Sequence, residues 1–288
     1  MEVRFVFWYA VDMEMVLVFV FGLIIGSFLN VVICRLAEGG SRFVEEQSDS
    51  LQSAVQRGRK PSRGSIVFDR SRCPKCAHTL SWYELVPLVS FAIQRARCRA
   101  CGEKISWQYP LVELATAFLF AFIYNFLPAY YHGWEMAYLF TVWAALAVIF
   151  VFDLKHYIIP NKVLYPLIGI AVVHAFFGIG FMATPRVILS ALGASGFFFA
   201  LYLVSRGRWI GFGDVKFGIF IGLFLGFPLI LVAFFFSYLI GAVIGGIMLM
   251  RHVKALQSEI PFGPFLILGT FIAYFYGSNI IQWYLNIF

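Results

Sequence analysis

Apolar runs of helical, membrane-spanning length are separated along this chain by short polar breaks, and one much longer polar stretch interrupts them early. Met15 to Cys34 is the first run, long enough to cross a bilayer core of ~30 Å at ~1.5 Å per residue. After Pro110 the runs follow quickly, at about 111–128, 134–153, 163–182 and 186–205. A cramped pair comes next. Phe217 to Phe227 crosses only if Gly213 to Lys216 is wound into the same helix, and Gly226-Phe227-Pro228 supplies the turn into the full-length run Pro228 to Met250. A last run covers about 262–285. The pattern predicts an all-α polytopic membrane protein of about eight transmembrane helices, with a small domain between the first and second spans. Three regions follow: 1–36 with a short outer segment and the first span, 37–109 as the polar domain, and 110–288 as a seven-span membrane core. Within the polar domain, 38–66 reads as a poorly ordered linker and 71–107 as a compact piece.

Composition agrees with the pattern. With 61% hydrophobic and 13% charged residues over 288 positions, the chain cannot hide its apolar side chains in a soluble core. Mean hydropathy is +0.83. The net charge of +7 raises the question of nucleic acid, and its placement answers it. Thirteen of the 22 Lys and Arg fall in 35–110, two in 154–162, three in 205–216 and two in 251–261; only Arg4 and Arg186 fall in the other set of loops. That is the positive-inside bias of cytoplasmic loops, so the basicity reads as topology, with no nucleic-acid partner. Both termini are expected outside, and the polar domain inside. The first run has no basic lead-in and no small-x-small cleavage site, so it reads as a retained span.

Two carboxylates interrupt this apolar background. Asp153 ends the run Ala144 to Phe152, and Asp214 sits in Gly211-Phe212-Gly213-Asp214-Val215-Lys216 at the mouth of another. An acid near membrane depth is costly and therefore suggests function. Either one alone reads more readily as a structural acid, a helix cap or a partner for a loop lysine, than as a functional one. Two on the same expected side make a candidate aspartic dyad, because carboxyls sharing one proton can both accept and donate. Gly211 and Gly213 lack Cβ atoms and leave room for an extended substrate backbone, and Lys216 lies two residues past Asp214. These three are candidate substrate-binding residues. Glu113 has two open readings, a snorkelling surface acid or a residue lining the substrate cavity. His174, in mid-span, reads as a packed or hydrogen-bonded histidine, and Cys34 as packing. The 34 Phe are expected chiefly to face lipid.

Cys73-Pro74-Lys75-Cys76 and Cys98-Arg99-Ala100-Cys101 are two Cys-x-x-Cys pairs separated by residues 77–97. Two such knuckles with a spacer of this order suit tetrahedral thiolate binding of Zn²⁺, and four Cys ligands make a closed, structural site. A reducing cytoplasm disfavours the alternative of disulfides. A zinc ribbon is expected, in which the metal knits a domain with little core of its own.

Together these residues resemble the bacterial type IV prepilin peptidase family, also called prepilin leader peptidase and N-methyltransferase. Gly26-Ser27-Phe28-Leu29-Asn30-Val31-Val32 with Arg35-Leu36 looks like the family's amino-terminal signature. Ser71 to Cys76, Arg97 to Cys101, and Ile105-Ser106 through Tyr109-Pro110 to Glu113 look like its cytoplasmic domain. Asp153 with Ile159-Pro160-Asn161, Gly211 to Lys216, and Pro261-Phe262-Gly263-Pro264 match its membrane core. The resemblance implies that Asp153 and Asp214 are the catalytic pair. The implied substrate is a type IV prepilin or type II secretion pseudopilin, cut after Gly at the cytoplasmic face of the bacterial inner membrane. It further implies methylation of the new amino terminus with S-adenosylmethionine, an activity typical of members that carry the four cysteines. No glycine-rich cofactor fingerprint is present, so no residues are assigned to the methyl donor.

Four other readings compete with this one. A presenilin-type protease also uses Gly-x-Gly-Asp, but places its first acid after Tyr, where this chain has Phe152, and has no place for four cysteines. A cation or proton transporter using the two acids would show inverted repeats and broken helices at the midplane, and the chain carries no convincing internal repeat of that kind. A peptidase without methyltransferase activity, or a zinc-ribbon scaffold without catalysis, are the remaining alternatives.

Overall fold

The computed structural model describes residues 2–48, 71–126 except 74, 75 and 77, 133–178, 184–250 and 261–287. Among the described residues there are nine α-helices and no strands: α1 (Glu2–Ser48), α2 (Val89–Ile93), α3 (Gln108–Phe126), α4 (Trp134–His156), α5 (Asn161–Phe177), α6 (Thr184–Ser205), α7 (Phe212–Leu225), α8 (Leu229–Met250) and α9 (Gly263–Leu285). A helix stands at each of the eight expected spans. Six are long and apolar enough to cross a membrane, while α5 has 17 residues and α7 only 14.

The first helix differs from expectation at both ends. It starts at Glu2, within the expected outer segment, and runs to Ser48, into the expected linker. Residues 38–48 contain three Glu and no proline, and the helix, already under way, continues through Gly39 and Gly40 despite their poor propensity. Residues 49–66 of that linker lie outside the described residues.

The chain divides into two compact units, Met1–Tyr131 and His132–Phe288. In the first, α1 lies against α3 through small residues. A Cβ on Gly22 would come 2.6 Å from the Ala117 Cα, and one on Gly26 2.7 Å from the Glu113 Cα, so hydrogen at these positions sets the approach of the two backbones. Asn30, 1% exposed, donates to the Tyr109 carbonyl at 3.0 Å and accepts from Gln108 Nε2 at 3.4 Å. Asn30 thus adds a polar contact to the face on which Gly22 and Gly26 pack.

In the second unit, α4 ends where Tyr157 turns left-handed (φ 58°) and its N–H caps the Asp153 carbonyl. Pro160 then leads directly into α5. Helix α7 packs on α6 through a Gly-xxx-Gly step, Gly218 against Ala194 and Gly222 against Ala191. It stops at Gly226, whose φ of +67° suits only glycine cheaply. Rings fill the interior: Phe220, Phe224 and Tyr274 stack in series at 5.5 and 5.0 Å, with Trp143 edge-on to Phe224. Phe120, Phe198, Phe217 and Phe220 are fully buried, so phenylalanine serves packing as well as the lipid face.

Candidate active site and metal centre

Asp153 lies in the last turn of α4 and is 4% exposed; Asp214 lies in the first turn of α7 and is 8% exposed. Local chemistry explains both positions. Asp214 stands three residues after the N-cap Gly211, and its Oδ2 accepts the Gly211 N–H at 3.1 Å, the acidic half of a capping box. Asp153 Oδ2 accepts the N–H of Gly263, at the start of α9, at 3.1 Å. Each carboxylate is thus held by one oxygen, and among the described residues the other has no hydrogen bond and neither acid has a Lys or Arg partner. The two lie within electrostatic reach of each other, and Tyr238 of α8 lies within reach of Asp214.

The flanking residues have separate tasks. A Cβ on Gly213 would meet Ile159 Cβ at 3.3 Å, so this glycine lets the start of α7 close on the loop that follows α4. Gly211 supplies the N–H that holds Asp214. Lys216 makes its contacts elsewhere than on the acids. Its Nζ donates to Asn161 Oδ1 at 3.0 Å and lies 5.4 Å and 5.2 Å from the Tyr165 and Phe212 ring centroids.

Glu113 belongs to the first unit. It is 7% exposed, and its Oε2 accepts the Leu88 N–H at 2.8 Å, with Ser27 a further partner. The snorkelling reading is therefore excluded: this carboxylate ties α1, α3 and the loop before α2 together.

The four cysteine sulfurs all lie within 4.8 Å of one another, and Cys73 Sγ is 3.9 Å from Cys101 Sγ. Two matching hairpins present them. In the first, Arg72 bridges Thr79, Cys73 N–H bonds the His78 carbonyl at 2.9 Å and Leu80 N–H bonds Ser71 at 2.9 Å. In the second, Arg97 bridges Lys104, Cys98 N–H bonds Glu103 at 2.8 Å and Ile105 N–H bonds Ala96 at 2.8 Å. The backbone N–H groups of Cys101 and Ala100 face the Cys98 sulfur and hold its thiol below its ordinary value, which favours the thiolate a metal needs. Four sulfurs at these separations, with backbone donors turned toward one of them, are positioned to bind a metal ion.

The profile of the Bacterial Peptidase A24 N-terminal domain matches residues 20–127, and that of the Type IV leader peptidase family matches residues 138–246. Prepilin leader peptidase/N-methyltransferase of Aeromonas salmonicida is 33% identical over 277 residues, covering 94% of this chain and 93% of that protein. The proteins of the same name from Pseudomonas aeruginosa and Bacillus subtilis are 31% and 32% identical, covering 92% and 94% of this chain and 91% and 97% of their own. The chain belongs to the type IV leader peptidase family. No solved structure matches it.

Within the leader peptidase core, the structure brings Asp153, Asp214, Gly211 and Gly213 into one neighbourhood and turns Lys216 to its rim. Sequence reasoning missed Gly263 and Tyr238 as neighbours of the acids. The signal for Gly263 was present in Pro261-Phe262-Gly263-Pro264, a break placed where a span should begin. Nothing local marks Tyr238, which lies inside an otherwise apolar run.

Proposed function

We propose that this chain is a multi-pass inner-membrane aspartic endopeptidase that removes the basic leader of type IV prepilins or type II secretion pseudopilins after Gly, at the cytoplasmic face. The names of its relatives support prepilin cleavage and N-methylation together. One observation carries the peptidase reading: two buried acids, unpaired with any base among the described residues, within electrostatic reach and each restrained by one oxygen.

In this reading Asp153 and Asp214 share one proton, and the pair titrates as a unit. The ionised member takes a proton from water as the water oxygen attacks the scissile carbonyl carbon. The protonated member gives its proton to the carbonyl oxygen, and collapse of the tetrahedral species returns a proton to the leaving amine. Gly211 leaves space for the extended substrate backbone, Gly213 contributes to that subsite by letting the start of α7 close on Ile159, and Lys216 borders it. Glu113, buried within the first unit, supports the fold of its own unit and is a candidate for substrate docking only through the loop it holds.

Cys73, Cys76, Cys98 and Cys101 would hold Zn²⁺ in a closed site that organises residues 71–107 and performs no chemistry on substrate. The three-region division at 36/37 and 109/110 follows from this assignment, with the cysteine domain and the acids on the cytoplasmic side. S-adenosylmethionine would supply the methyl group for the new amino terminus, and no residue is assigned to it.

Cleavage of a prepilin-like substrate by the purified protein in detergent tests the reading. Asp153→Asn and Asp214→Asn keep an oxygen to accept the Gly263 and Gly211 N–H groups, so the fold should survive. Each should lower the cleavage rate by a factor on the order of 10³ or more, as removal of one member of a catalytic unit does. Normal cleavage by either variant refutes the dyad.

A further inference from the structure

The sequence from Trp82 to Ile93 was absorbed by neither the metal centre nor the acid pair, and its placement is unusual. The apolar window that makes α3 a candidate membrane span begins at Gln108, and the 19 described residues, ~28 Å at ~1.5 Å per residue, are close to a hydrocarbon thickness. Its early turns therefore lie at or near the membrane boundary. Glu113 is five residues into α3, roughly 7.5 Å along the axis, and its Oε2 holds the backbone N–H of Leu88 at 2.8 Å. The loop before α2 is consequently drawn down beside α3 to the depth of its second turn.

The surface this segment presents suits that depth. Helix α2 (Val89–Ile93) buries none of its residues, and Val89 and Ile93, four apart and so on one face, are 52% and 64% exposed. Trp82 is 78% exposed and Leu85 39%. Trp107, the residue before α3, is 69% exposed and sits edge-on to Phe91 at 5.2 Å. From Trp82 to Ile93 the only charged residue is Glu84, and it is turned inward, 7% exposed, accepting the Ser81 N–H at 2.8 Å. Polar backbone at this depth must be satisfied internally, and three of its N–H groups are: Leu88 by Glu113, Ser90 by the Val86 carbonyl and Ala92 by the Leu88 carbonyl. Exposed Arg95, Arg97 and Arg99 follow at once, where anionic headgroups lie.

We propose that Trp82–Ile93 is a lipid-dipping segment that seats the cysteine domain on the bilayer, with Val89 and Ile93 entering the headgroup–acyl boundary beside α3 and Trp82 and Trp107 forming its aromatic edge. The inference rests on the membrane assignment of α3 and is independent of the assignment of the acids. Its partner is phospholipid, and a docked prepilin or second protein on the same face is the competing occupant.

Photocrosslinking separates these occupants. The full-length protein, carrying a benzophenone amino acid in place of Ile93, is reconstituted in phosphatidylethanolamine–phosphatidylglycerol vesicles, irradiated and weighed by mass spectrometry. Parallel samples carry the label at Leu192, 66% exposed on the membrane helix α6, and at Glu103 in the second cysteine hairpin. Phospholipid adducts at Ile93 comparable to those at Leu192 and absent at Glu103 are expected. Adducts at Leu192 alone, or at Ile93 only to an added prepilin peptide, overturn the proposal. A conservative second measurement uses the native rings. Vesicles with phospholipid brominated near the top of its acyl chains should quench part of the tryptophan emission, and Trp82→Phe and Trp107→Phe should each remove quenchable emission. An unchanged quenched fraction in both variants counts equally against it.

Discussion

Gly263 donates its backbone N–H to Asp153 Oδ2 at 3.1 Å, which puts the first residue of α9 directly against the acid at the end of α4. A Cβ built on Gly263 would stand 2.5 Å from that oxygen, closer than any real contact. Gly263→Ala should therefore keep the N–H but push the carboxylate aside. We expect cleavage to fall by a factor on the order of 10–100, since displacements of about 1 Å at a reacting group cost this much. The yield of folded protein should be unchanged; a fully active Ala variant would show that Asp153 does not react from this position.

Lys216 should behave differently from the acids. Its ammonium bonds Asn161 and lies by the rings of Tyr165 and Phe212, all at the rim. Lys216→Met should leave thermal stability nearly unchanged, because exposed interactions of this kind contribute about 0–1 kcal/mol. Its effect should fall on KM for a basic-leader substrate more than on kcat, and steady-state kinetics would read the split.

Small residues set the helix spacing, and their loss should be felt as stability. Gly26→Val would force atoms into the backbone of α3 at Glu113, an overpacking that costs about 1–3 kcal/mol. Gly169, in the interior of α5 with nothing within 4 Å of an added Cβ, is the matched control. Gly169→Ala should be neutral or stabilising by up to ~1 kcal/mol. Thermal unfolding in detergent compares the two.

The cysteine cluster should carry about one metal ion per chain. Elemental analysis of the purified protein should find zinc, and Cys98→Ser should lower its content and expose residues 71–107 to limited proteolysis. Apparent binding energies near 10 kcal/mol or more for structural zinc mean that mild chelation should not strip the wild type. Full metal content in a Cys98→Ser, Cys101→Ser double variant would remove these sulfurs from the ligand set.

Much of this was legible from the order of residues alone. Hydropathy located a helix at each of the eight expected spans, six of them long and apolar enough to cross a membrane, because a segment in lipid must satisfy its own backbone and so must be an apolar helix. Asp153 and Asp214 were legible because charge is expensive there. The cysteine cluster was legible because thiolate spacing is local. Helix ends were less so: α1 runs past both expected limits, since continuing a helix costs little once it has formed. Gly263 and Tyr238 escaped because their contacts to the acids are tertiary, spanning 110 residues in the case of Gly263 and Asp153. Glu113 escaped for the same reason: no local rule says that a carboxylate in one helix will hold the amide of Leu88.

The matching of the two cysteine hairpins has a further consequence. Residues 71–80 and 96–105 repeat the same bonds at a constant offset, so the metal centre is a miniature dimer within one chain, each half contributing two ligands and neither able to satisfy an ion alone. Its occupancy should behave as an all-or-none event between two partners tethered by the segment from Ser81 to Arg95. That segment contains Leu88, which Glu113 holds, so the tether that brings the halves together is the same length of chain that is fastened to α3.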